Sequence, residues 1–114
     1  MKAITGEKLR GHLETMVLSM LERGEAHGME VIRRLEESGS GLLRLKEGSL
    51  YPALYRLEAA GMVVVVREES QQGRRGAPRR IYGLTPKGKR HLVKGRAEWV
   101  NFAQIVSSVL GAPA

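Results

Sequence analysis

No cysteine occurs among the 114 residues. The chain can therefore build neither a disulfide framework nor a thiolate nucleophile, which suits a protein of the cytosol. No apolar run approaches the roughly 20 residues of a membrane span. Met1 to Arg10 lacks the hydrophobic core of a signal peptide. These absences lead us to expect a soluble cytoplasmic protein with no membrane partner. Internal repeats are absent as well. The three histidines, His12, His27 and His91, have no ligand spacing, and no thiol stands near to help them, so no metal site is expected. A nucleophile–base pair, a phosphate-cradling glycine loop and a coherent carboxylate pair are all missing, so the sequence supports no enzyme and implies no cofactor. Glu68-Glu69 reads as solubility charge. Acid is the remaining shortage: 12 Asp and Glu face 19 Lys and Arg, a formal charge of +7. Such a surplus favours polyanions, nucleic acid ahead of an anionic membrane surface, although the count alone is equally a solubility charge. Placement has to decide between the two. The length is that of one domain with a modest core.

What is present is regular. Met1 to Lys8 is polar and reads as loose. From Leu9 the pattern turns helical, with Leu13, Met16, Val17, Met20 and Leu21 on one stripe until Gly24 stops it. A second helix runs from about Ala26 to Ser38. Gly28, Val31, Ile32 and Leu35 form its inner side, where Gly28 lets another helix come close, and His27 either caps it or sits in the core. Ser38-Gly39-Ser40-Gly41 is a turn. Leu42 to Leu45 is a strand stub or a tucked-in loop.

A third helix carries Leu50, Ala53, Leu54 and Leu57 at i, i+3, i+4, i+7. Its other face holds Ser49, Tyr51, Pro52, Tyr55 and Arg56, with no acid among them. A merely solvated face would mix Lys with Glu; this one is suited to hydrogen-bonding a large anion. Two starts are open. Either Ser49 is the N-cap and Pro52 falls in the first turn, or the helix begins near Glu47 and Pro52 perturbs its second turn. Gly61 ends it. Met62 to Arg67 is a β-branched strand, Glu68 to Pro78 is turn chemistry, and Arg79 to Leu84 is a second strand, together an antiparallel hairpin. Arg74, Arg75, Arg79 and Arg80 cluster at its tip and return. Thr85-Pro86 opens a long helix to about Leu110, in which Leu92, Trp99, Ala103, Val106 and Leu110 are spaced close to a heptad seam. Phe102, Ile105 and Val109 widen that stripe beyond what one small domain needs.

Three helices, a basic hairpin and a long amphipathic helix follow the order of a winged helix-turn-helix. The fold class is mainly α with a small β-hairpin (α+β), with residues 9–85 as the DNA-binding unit and 86–110 as a C-terminal helix packed on it. The third helix would enter the major groove of duplex DNA, reading with its N-terminal half, while the hairpin lies along the backbone or in the minor groove. Lys46, Ser49, Tyr51, Pro52, Tyr55, Arg56, Arg74, Arg75, Arg79 and Arg80 are the DNA-contact candidates. Competing readings stand beside them: Tyr51 packed into the core, Arg56 paired near Glu58, and the hairpin arginines simply solvated. A winged-helix surface for protein or structured RNA is a further alternative.

Three motifs carry a family resemblance: Ala26 to Leu35, Glu47 to Gly61, and Arg79 to Gly88, with Gly48-Ser49-Leu50-Tyr51-Pro52-Ala53-Leu54 the most specific of them. On these the chain resembles the PadR-like family of winged-helix transcriptional regulators, in its branch with a short C-terminal helix. The resemblance implies a homodimeric repressor whose first and last helices exchange across a two-fold axis. Leu13, Val17, Leu92, Trp99, Ala103, Val106 and Leu110 are then the dimer residues. It also implies that a small aromatic effector could bind at that interface, between the Trp99 side chains. Gly83 departs from the family pattern, which usually has a larger polar residue at this point of the wing base.

Overall fold

A computed structural model describes residues 4–5, 11–70 and 76–113. Within them the order is β1 (Ile4–Thr5), α1 (Leu13–Glu22), α2 (Gly28–Ser38), β2 (Leu43–Arg44), α3 (Glu47–Ala59), β3 (Val63–Glu69), β4 (Arg79–Leu84) and α4 (Pro86–Leu110). This is the winged helix-turn-helix with a long C-terminal helix. Val17 and Leu18 of α1, Val31 and Leu35 of α2, and Leu50 and Leu54 of α3 meet in one core. Val63 and Tyr82 close it from the hairpin, and Leu92 closes it from α4.

Local chemistry sets most boundaries. α2 starts at Gly28 and not at Ala26. His27 Nδ1 accepts the Glu30 backbone N–H at 3.2 Å, which makes His27 the N-cap. Ala26 is drawn out of the helix because its N–H and its carbonyl both bond the backbone of Tyr82, at 3.1 and 2.8 Å. α3 ends in a Schellman motif: Gly61 takes φ +75°, its N–H donates to the Glu58 carbonyl, and the Met62 N–H donates to the Leu57 carbonyl. The Lys87 ammonium donates to the Ala60 carbonyl at 2.7 Å, a cation at the negative end of α3. Thr85 caps α4 by accepting from the Gly88 N–H at 3.0 Å while its own hydroxyl donates to the Gly61 carbonyl at 2.7 Å. One side chain thus fixes the start of α4 on the turn that ends α3.

Three further expectations are corrected. The polar N-terminal stretch contains β1, whose Ile4 and Thr5 pair in parallel with Leu43 and Arg44. That pairing depends on a partner about forty residues away and leaves no local pattern. It also settles Leu42 to Leu45 as a strand stub. α1 begins at Leu13 rather than Leu9, after Gly11 at φ +89° in the preceding turn. β3 runs on through Glu68 and Glu69, which pair with Arg80 and Arg79, past a register irregularity between Val65 and Arg67. Arg74 and Arg75 lie outside the described residues.

Candidate nucleic-acid interface

α3 begins at Glu47 with Lys46 as its N-cap, so Ser49 is not the cap and Pro52 stands inside the helix. Proline has no N–H, so the Gly48 carbonyl one turn earlier receives no helix bond from position 52. The buried face is Leu50, Ala53, Leu54 and Leu57. Pro52 and Tyr55 are at the centre of the opposite face, and Tyr55 is 52% exposed. Lys46 is exposed and Ser49 half-buried near the start of the helix.

The two flanks differ. On one, Arg56 Nε donates to Glu14 of α1 at 2.8 Å, so Arg56 is paired with the first helix and not with the neighbourhood of Glu58. On the other, Tyr51 leans toward α2. A methyl group at Gly28 would lie 2.6–2.7 Å from the Tyr51 ring, so α2 and α3 close on this tyrosine only because position 28 is glycine. Tyr51 is half-buried, packs against the core and stacks at a tilt on Tyr55, ring centroids 6.2 Å apart. Burial first, and the Glu47 carboxylate second, push its hydroxyl above the usual tyrosine value, so it remains a neutral donor at neutral pH.

Between the starts of α2, α3 and β4 lies a cleft of about 300 Å³, lined in part by His27, Gly28, Tyr51, Tyr55, Arg79 and Arg80. Arg80 is committed within the fold: it donates to Glu58 at 3.0 Å and lies 5.5 Å over the Tyr82 ring. Arg79 is half-buried, 3.5 Å from His27 Nε2. Desolvation, and then the Arg79 charge, hold His27 below the usual histidine value. Of the two places the sequence leaves open for His27, helix cap or core, it takes the cap; its approach to Arg79 is a tertiary matter. The Gly28 that follows it was the one available signal that a neighbouring element comes close here.

The model of the transcriptional regulator PadR-like family matches residues 17–94. The chain belongs to the PadR-like family. It is 33% identical over 87 residues to the transcriptional regulator Rv3488 of Mycobacterium tuberculosis, spanning 76% of this chain and 75% of that one. Its structure is similar to that of a transcriptional regulator from Clostridium thermocellum, with a TM-score of 0.81 at 25% identity, covering 93% of this chain and 97% of the other. A padr family transcriptional regulator from Eggerthella lenta aligns with a TM-score of 0.76 at 30% identity over 91% and 86% of the two chains. The family is one of transcriptional regulators, not of enzymes.

In this PadR-like chain the residues expected at a dimer surface divide. Leu13, Val17 and Leu92 are buried in the chain's own core, so they are not surface for a second subunit; this corrects the assignment that the family resemblance implied. A helix stripe shows only that a face is covered, not by which chain. Trp99 and Leu110 are exposed, and Ala103 and Val106 half-buried. Phe102, Ile105 and Val109 extend that exposed apolar face. His12 contacts Trp99 edge-on at 5.1 Å, and Trp99 lies 5.9 Å from Phe102. Among the described residues, no group of three His, Cys, Asp or Glu could hold a metal, and no helix is long and apolar enough to cross a membrane.

Proposed function

We propose that this chain is a homodimeric, sequence-specific DNA-binding repressor, working in the cytoplasm on a palindromic operator. The observation that carries the reading is the outward face of α3, where Pro52 and Tyr55 stand exposed at the centre, Glu14 and Glu58 beside it are engaged by Arg56 and Arg80, and Glu47 at the helix start is the exposed acid. α3 would lie in the major groove, with Ser49, Tyr51, Pro52 and Tyr55 toward the base edges. Lys46 and the wing arginines, Arg74 and Arg75 with them, would meet backbone phosphates. The exposed half of α4 would pair with its copy, placing two recognition helices about one turn of duplex, roughly 10 base pairs, apart or a multiple of that.

Selection of bound sequences from a random duplex pool at near-physiological salt tests the reading. An enriched two-fold palindrome is expected. Binding without enrichment, fading with salt, overturns it in favour of a non-specific polyanion binder. On the selected site, Tyr55→Ala should lose about 1–3 kcal/mol while binding to random duplex hardly changes.

A second reading is favoured by the cluster of His12, Trp99 and Phe102 at the surface of α4. In it, a planar aromatic effector bound between two subunits would change the spacing of the recognition helices and so the affinity for DNA. Quenching of Trp99, the single tryptophan, by such compounds, weakened by Phe102→Ala, is the expected sign.

A further inference from the structure

The cleft at the junction of α2, α3 and β4 contains an unusual pairing. His27 Nδ1 accepts the Glu30 backbone N–H. That nitrogen therefore carries no hydrogen, and the neutral ring must hold its proton on Nε2. Nε2 faces the Arg79 guanidinium, a group with donors only, at 3.5 Å. Two N–H donors thus lie 3.5 Å apart in the lining of an open cleft. Arg79 forms no ion pair with any described carboxylate. Burial and the Arg79 charge both keep His27 in the neutral form that this arrangement requires. The Tyr51 ring forms the wall beside them.

What completes such a pair is an acceptor oxygen bound by both donors, with negative charge to satisfy the guanidinium. We infer that His27 and Arg79 together clamp one DNA backbone phosphate, beside the recognition helix, in each half-site. The inference rests on the DNA-binding reading and assigns a contact to His27, a residue outside both α3 and the wing. Glu47, exposed on the rim of the same cleft, opposes an anion there. The clamp consequently depends on the directed bonds of His27 and Arg79 rather than on the net charge of the rim.

The test separates contact from capping. His27→Asn preserves the cap, because asparagine is among the best N-cap residues, and removes the reach of Nε2. Wild-type protein, His27→Asn, Arg79→Gln and the double variant are titrated against the selected operator and a random duplex over a range of salt, with thermal unfolding as the control for folding. Each single variant should bind both duplexes more weakly by about 10-fold or more, the loss of a charge-assisted hydrogen bond in each half-site. Arg79→Gln should also lower the salt slope by about 2, one phosphate contact in each of the two half-sites. The double variant should lose less than the product of the two, because both groups hold one oxygen cluster. Operators with a neutral methylphosphonate walked through each half-site should show one position that weakens the wild type and leaves the double variant unchanged.

Unchanged binding by His27→Asn, with wild-type binding intact, would reduce His27 to a cap and overturn the clamp alone. Wild-type protein that binds no duplex overturns the DNA-binding reading, and the clamp with it. A His27 Nε2 proton resonance shifted by low-millimolar inorganic phosphate but not by duplex would assign the cleft to a free anion and likewise overturn the inference.

Discussion

The two halves of α4 are one continuous helix with opposite relations to the rest of the chain. From Pro86 to Arg96 it is fixed to the body at every turn. Gly88 is so close to the residue that leads into β3 that a methyl group there would be 2.1 Å from the Met62 carbonyl oxygen, and Leu92 is 1% exposed in the core. A methyl at Gly95 would touch Thr15 at 2.8 Å, and Arg96 donates to Glu22 and Ser19 of α1. Beyond Arg96 none of its residues is buried, and side chains as apolar as Val109 are 81% exposed. The first half completes a self-sufficient body. The second presents an apolar face of the kind that monomeric proteins rarely leave uncovered.

Breaking the second half should have the largest effect. Phe102→Glu combined with Ile105→Glu should turn a dimer into a monomer in sedimentation velocity, at about 2 kcal/mol or more for each lost anchor. Operator binding should fall with it, while the unfolding temperature of the isolated body is retained. A dimer that survives both charges would place the interface elsewhere.

Within the first half, Gly88→Ala should destabilise by about 1–3 kcal/mol, since a backbone carbonyl has nowhere to move. Gly95→Ala should be much milder, because Thr15 can turn away and alanine gains about 1 kcal/mol of helix propensity over glycine. Equal losses in chemical denaturation would mean that the α1–α4 crossing is as rigid as the α4–β3 junction.

The smallest effect concerns acid. The Arg96 hydrogen bond holds the Glu22 carboxyl below its ordinary value of 4.5. A depressed folded value means that the unfolded chain binds the proton more readily. The stabilisation is therefore complete above about pH 4.5 and is lost as pH falls through the folded value. Arg96→Ala should remove only that part of the acid dependence, leaving unfolding at pH 7 little changed because the pair is exposed. An unaltered acid profile would show that Glu22 gains nothing from Arg96 in solution.

Features that depend on near neighbours were legible in the residues. Thr85-Pro86 announces α4 because a cap and a first-turn proline are local requirements, and Gly61 announces the end of α3 because only one or two residue types tolerate its φ. The β-branched run from Met62 to Arg67 and the turn residues after it gave the hairpin for the same reason. The start of α3 was not legible, since Ser49 offers a capping hydroxyl two residues inside the helix that forms, whereas Lys46, the residue at its boundary, makes no side-chain cap. Arg56 and Arg80 could not be placed either. Each is a long cation with several acids in reach, and only the packed positions of α1 and α3 bring Glu14 to one and Glu58 to the other.

The sequence by itself determined the order of elements, the core face of each helix, the outward placement of Pro52 and Tyr55, and the surplus of apolar residues at the end of α4. All of these are set by periods of two and 3.6 residues and by backbone preferences. Tertiary structure alone decided which apolar stripes the chain keeps for itself, taking Leu13, Val17 and Leu92 inside and leaving Trp99 to Leu110 outside. It also brought His27 from α2 and Arg79 from β4 to one cleft. Burial and encounter between distant residues are properties of the packed chain, and no local pattern encodes them.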